Sequence, residues 1–270
     1  MAEMVDPRTA AAIATAGLPG EPRKLLSRVA DAGVQSVQLS TGQRGTRPRD
    51  LDRSGRVDLM VALRRAELRL AGIDHPFDPE GLLRPDLVDP IATGLLEAIQ
   101  LAGDLGPVPL SVRFPRSGAE EVIAMAIAAG QRVGVELIDF GVPPRGRPVR
   151  DRIAASPSGL IVPGETTEAP ATHDADTASI EGLAIGVDPP TWLAAGLDFE
   201  AAAGEGIAGL RLAGLTADGF RVPAGMPESR VEPATLVAIA KSSGCTHDPV
   251  IDPRGWTDRW GGIEFTRGQL

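Results

Sequence analysis

Short apolar runs alternate with amphipathic stretches along almost the whole chain, and this alternation restricts the fold more than any other feature. AAIATAG (11–17) is the first run. EPRKLLSRVADAG follows it, with Pro22 suited to a first helical position and Gly33 to a helix end. VQSVQLS (34–40), LRLAGID (68–74), VPLSVRF (108–114) and GVELIDF (134–140) read as the next strands. SGRVDLMVALRRAEL makes a helix between the second and third. Before the fourth, Val88, Ile91, Leu95, Ile99 and Ala102 recur at helical spacing, with Asp89 read as an N-cap ahead of Pro90. Ser117-Gly118-Ala119-Glu120 has capping-box spacing and opens EEVIAMAIAAGQRVG. LAIGVD (183–188), IAGLRLAG (207–214) and DPVID (248–252) complete the strands, and VEPATLVAIAKSSG is the last clear helix, stopped by Gly244. Eight strand-and-helix units in 270 residues predict an α/β fold, a parallel (β/α)8 barrel, as a single domain over 1–270. A doubly wound open sheet is the second choice, weakened because no G-x-G-x-x-G follows the first strand.

Residues 141–182 interrupt the rhythm. They are rich in Pro, Gly, Asp, Glu and Thr and hold no convincing amphipathic helix. Their composition predicts an irregular polar insertion between the fifth and sixth strands, within the barrel and not at a domain boundary.

Composition removes several functions. The chain carries a formal net charge of −9 and no basic stripe, and aromatics are 3% of it with no Tyr, so nucleic acid is not an expected partner. No apolar run approaches the ~20 residues of a membrane helix, and the N-terminal residues lack a signal-peptide pattern. Cys245 is the only cysteine, so no intramolecular disulfide can form. A cytoplasmic, soluble protein is expected. No G-x-S-x-G elbow, Walker loop or H-E-x-x-H occurs, and the three histidines are dispersed.

The residues that remain sit at strand ends. Asp188 and Asp252 close the sixth and eighth strands, and Arg113 closes the fourth. Period-two alternation from Asp188-type positions points Arg211 into the barrel, with Leu210 and Leu212 toward the helices. An inward arginine needs an acidic partner or an anionic ligand. Trp192, Trp256 and Trp260 are candidates to line the mouth, under a cover formed by 252–262.

LLSRVADAGVQSVQLS, LRRAELRLAGIDHPF, LLEAIQLAGDLG and GLAIGVDPPTWLAAGLD, in this order, resemble the xylose isomerase-like TIM barrel family of sugar isomerases, sugar-phosphate epimerases and related endonucleases. The resemblance spans most of the chain outside 141–182. It implies a substrate site at the C-terminal mouth of the barrel, with a divalent cation held by a Glu, an Asp, a His and a Glu on the last four strands. It also implies a substrate-contacting role for His75, just past the third strand. The sequence departs from that ligand set. Asp188 matches the family's Asp, but Phe140 stands at the first Glu position with Asp139 beside it. Arg211 stands at the His position, and Asp252, one methylene shorter, at the second Glu position. Arginine offers only donors and phenylalanine no lone pair, so a degenerate metal site with no bound metal cofactor is expected.

The expected site is therefore a substrate-binding set of His75, Arg113, Asp188, Arg211 and Asp252, with Arg211 bridging Asp188 and Asp252 in place of a cation. Its partner is a small polar molecule such as a sugar. Two functions fit. One is a metal-free isomerase or epimerase of a sugar or hydroxy-carbonyl compound. The other is a catalytically inactive barrel that binds a small molecule or a protein partner.

Overall fold

The computed structural model describes residues 11–141, 181–197 and 206–270. Eight parallel strands close into a barrel: β1 (Ala12–Ala14), β2 (Ser36–Ser40), β3 (Arg69–Asp74), β4 (Leu110–Val112), β5 (Leu137–Asp139), β6 (Leu183–Val187), β7 (Ile207–Leu212) and β10 (Val250–Ile251). Each pairs with its neighbour in sequence, and β10 pairs with β1 to close the ring. Outside the barrel, β8 (Gly214–Leu215) and β9 (Arg221–Val222) form an antiparallel hairpin. Gly214, expected at the end of the seventh barrel strand, belongs to this hairpin instead.

Among the described residues, seven α-helices cover the strands: α1 (Pro22–Asp31), α2 (Arg53–Arg65), α3 (Val88–Asp104), α4 (Glu120–Val133), α5 (Pro189–Ala194), α6 (Pro233–Ser242) and α7 (Arg259–Gly268). Local chemistry sets several ends. Asp52 accepts from the Gly55 N–H at 2.7 Å and Asp258 from the Gly261 N–H at 3.0 Å, each satisfying an orphan amide at a helix start. Gly134 ends α4 at φ 71°, a left-handed turn that a β-carbon would strain. Two predicted caps are corrected. α3 begins at Val88, so Asp89 lies inside the first turn, where its charge favours the helix dipole rather than capping. α4 begins at Glu120 with Ala119 at the cap position, and the Glu120 carboxylate accepts from the Gly118 N–H at 2.8 Å. Ser117 is thus two residues too early to cap.

Alternation along each strand divides the interior. Ile13, Val37, Leu39, Ile73, Leu110, Val112, Leu137, Val187, Leu210, Leu212 and Ile251 point outward into one large apolar layer under the helices. Ala12, Ala14, Ala16 and Val250 form a second, smaller cluster within the barrel. Small residues there leave room for the large side chains above. No helix among the described residues is long and apolar enough to cross a membrane. The insertion expected over 141–182 lies, apart from residues 141, 181 and 182, outside the described residues.

Candidate functional site

At the C-terminal end of the barrel the inward positions carry charge. Asp74 ends β3, Asp188 follows β6 and Asp252 follows β10, and all three are buried. Arg211, on β7, is the largest fully buried side chain among the described residues, at 1% exposure. Arg113 follows β4, Arg221 comes from β9 of the hairpin, and Arg254 from the turn after β10. These four guanidinia and three carboxylates alternate around the mouth.

The pairing is specific. Arg211 donates from Nη2 to Asp74 Oδ1 at 2.5 Å, and its Nε lies 3.8 Å from Asp252 Oδ2. Arg254 bridges two carboxylates, with Nη1 3.2 Å from Asp74 Oδ2 and Nη2 2.6 Å from Asp252 Oδ2. Arg221 bridges the next two, with Nη1 3.0 Å from Asp188 Oδ2 and Nη2 3.2 Å from Asp252 Oδ2. Arg113 donates to Asp188 and to Thr191, whose hydroxyl also donates to Asp188. The chain turns into α5 at Asp188, but the Asp188 side chain does not cap that helix. The carboxylate is committed to the arginines.

Phe140 forms the wall beside Arg211. The Arg211 guanidinium lies over the Phe140 ring, 4.3 Å from its centroid. Space for the ring comes from Gly186 and Gly209, which face each other on β6 and β7. A β-carbon at either would meet the ring at 2.7 or 2.8 Å. Asp139 turns the other way, its Oδ1 accepting from the Phe114 and Gly141 amides. The register that places Phe140 inward therefore holds.

Electrostatics follow the geometry. Burial pushes the Asp188 carboxyl up, but Arg221, Arg211 and Arg113 outweigh it and hold it below its ordinary value. Asp252 is likewise raised by burial and then held well below the usual carboxylate range by Arg254, Arg211 and Arg221. Arg211 is shifted down, because burial and the charge of Arg254 outweigh the three aspartates. Carboxylates locked to guanidinia in this way are poor proton acceptors at neutral pH.

Of the five residues expected in the site, Arg113, Asp188, Arg211 and Asp252 come together. His75 does not join them. Being next to the inward Asp74, it faces the other side of the strand, with Nδ1 2.7 Å from the Thr41 hydroxyl and the ring against Phe77. Burial, opposed by Asp74, lowers its pKa to about 4. The expected Arg211 bridge from Asp188 to Asp252 is corrected. Arg211 bonds to Asp74, while Arg221 bridges the two expected aspartates. Asp74, Arg221 and Arg254 were not anticipated. The strand-end argument applied to Asp188 would have found Asp74, whereas Arg221 arrives on a hairpin that the alternation does not reveal. Trp192 and Trp256 pack in the apolar layer, and Trp260 lies under Arg28.

The donor set tests the metal that the resemblance implies. Among the described residues, no group of three or more His, Cys, Asp or Glu side chains is arranged to hold an ion. Each mouth carboxylate already accepts from arginine, and Arg211 and Phe140 stand where the resemblance implies two of the ligands. In this arrangement the carboxylate oxygens face guanidinia, which offer a cation no lone pair.

The fold is that of the xylose isomerase-like TIM barrels. A D-psicose 3-epimerase from Clostridium cellulolyticum H10, solved with D-tagatose, matches at TM-score 0.63 and 9% identity over 97% of this chain and 99% of that one. A D-tagatose 3-epimerase-like protein matches at TM-score 0.66 and 10% identity over 97% of each chain. A xylose isomerase domain protein from Planctomyces limnophilus matches at TM-score 0.65 and 14% identity, over 97% of this chain and 96% of that one. No protein-family model and no curated protein matches the sequence.

Proposed function

We propose that this chain binds a small polar, sugar-like molecule at the C-terminal mouth of the barrel without a divalent cation, and that it is a binding barrel rather than a metal-dependent isomerase. The observation that carries the reading is the Arg211 guanidinium, buried between Asp74, Asp252 and the Phe140 ring where the resemblance implies a cation and its ligand. Its permanent charge offsets the carboxylates that a metal would otherwise neutralise. The fold supports a ligand at this end, since strand C-termini carry the site in such barrels. The solved D-psicose 3-epimerases were crystallised with D-tagatose and with D-fructose, which supports a sugar-like ligand.

A second reading, metal-free epimerisation or isomerisation of a hydroxy-carbonyl compound, is favoured by the same guanidinia. Fixed cations at a mouth can stabilise an enediolate oxygen. That reading also needs a base, and Asp188 and Asp252 are held in their weakly basic ionised form.

The test is elemental analysis of protein purified without tag or chelator, together with melting of chelator-treated protein across a panel of neutral and acidic sugars. The expected result is metal well below one ion per chain and a rise in melting temperature with at least one sugar. About one Mn, Zn, Mg or Co per chain, lost in Asp188→Ala, overturns the reading. Turnover of a ketose by the chelator-treated protein favours the second reading.

A further inference from the structure

We infer that the ligand of this mouth carries one anionic group, a carboxylate or a phosphate, received by Arg211, Arg221 and Arg113. The inference rests on the binding reading above and names its substrate class. It stands on three features of the cluster.

First, among the described residues four guanidinia face three carboxylates, so these seven groups carry one positive charge in excess. Second, every carboxylate oxygen is used and several guanidinium donors are not. Both oxygens of Asp74, of Asp188 and of Asp252 already accept hydrogen bonds. By contrast, Nε and Nη1 of Arg211, Nε of Arg221 and Nε of Arg113 are buried without a hydrogen-bond partner. Buried guanidinium donors are rarely left unmade, so a ligand that completes this site must accept. Third, Arg211 is 1% exposed and lies among the inward side chains, so its open donors cannot be answered by bulk water.

Candidate ligands differ in how well they meet these demands. A divalent cation raises the excess charge and accepts nothing. A neutral sugar offers hydroxyl oxygens but no charge. A carboxylate or phosphate offers both, and its planar or tetrahedral oxygens match guanidinium forks. A hydroxylated acid or a sugar phosphate therefore fits best, its anion toward the arginines and its hydroxyls toward the rim.

The experiment is calorimetric titration of the full chain with D-gluconate, D-fructose 6-phosphate and D-fructose. An anionic probe should bind at least about tenfold more tightly than D-fructose, the size of one lost charge-assisted hydrogen bond. Gluconate as the tighter probe assigns a carboxylate, and fructose 6-phosphate as the tighter probe a phosphate. Arg113→Gln, at a side chain 36% exposed on the rim, should weaken the anion by a similar factor with folding intact. Arg211→Met should abolish its binding. Equal or tighter binding of D-fructose overturns the inference while the sugar-binding reading stands. Anion affinity unchanged in both variants also overturns it, because the anion then binds elsewhere. No binding by any of the three probes overturns the inference and the binding reading together.

Discussion

Replacing Arg211 by methionine keeps most of its aliphatic stem and deletes a charge whose side chain is 2% exposed. The carboxylate it leaves, Asp74, is 3% exposed and cannot be rehydrated without opening the barrel. Breaking one side of a buried pair costs about 3–5 kcal/mol. Here Asp74 keeps Arg254 at 3.2 Å and the Ser40 hydroxyl at 3.5 Å, which sets the expectation at the lower end, about 3 kcal/mol. The lost contact with Phe140 adds little, because methionine sulfur also packs well on a ring. Asp74→Asn should cost a similar amount, leaving Arg211 only the 3.8 Å approach to Asp252. The double variant removes both charges together, so its cost should fall short of the sum by about 1–3 kcal/mol. The same cycle run with Asp188→Asn should give a smaller coupling, because Asp188 bonds to Arg113 and Arg221 and not to Arg211. Urea unfolding at pH 7, followed by the fluorescence of Trp192, Trp256 and Trp260, measures all of these from midpoints at constant m. Additivity of Arg211 with Asp74, or a larger coupling to Asp188 than to Asp74, refutes the assignment of partners.

Two further outcomes follow from the same geometry. Gly186→Ala should destabilise by about 1–3 kcal/mol, because the new methyl lies 2.7 Å from the Phe140 ring, and adding Phe140→Leu should recover part of it; thermal melting checks this, and a neutral Gly186→Ala would contradict the packing. His75 is held to a pKa of about 4 against its ordinary 6.5, so between those values the unfolded chain binds a proton that the folded chain refuses. Stability should therefore fall with acidification across that window, by at most ~1.4 kcal/mol per pH unit, and His75→Gln should flatten the fall. Parallel urea midpoints for the two proteins from pH 7 to 4.5 would argue against it.

The barrel was legible because its signal is repetitive. Runs such as VQSVQLS and LRLAGID are buried on both faces, and each is followed by a helix with its own start or stop chemistry. Boundaries were less legible. Capping patterns at Asp89 and Ser117 occur in sequence, yet the helices start where packing sets them, at Val88 and Glu120. In the site, strand ends and period-two alternation located Arg113, Asp188, Arg211 and Asp252, since both are properties of single strands. Partner choice is not such a property. Asp74 and His75 are adjacent, and which of them faces inward decides which joins the cluster. Arg221 and Arg254 reach the mouth from a hairpin and a turn, where side-chain direction follows no period.

The ring of charges also bears on the order in which the chain can fold. Asp74 ends β3 and Arg113 follows β4, and none of their ionic partners lies in that half of the barrel. Arg211 lies 137 residues beyond Asp74, Arg254 lies 180 beyond it, and Asp188 lies 75 beyond Arg113. A half-barrel of β1–β4 would hold Asp74 and Arg113 without these partners, leaving both charges to water until β6, β7 and β10 arrive. Contacts of such sequence separation form only after long loops have closed. The ring therefore adds its stabilisation only as β6, β7 and β10 are laid down beside the early strands, which ties the two halves of the barrel together through ion pairs of long sequence separation.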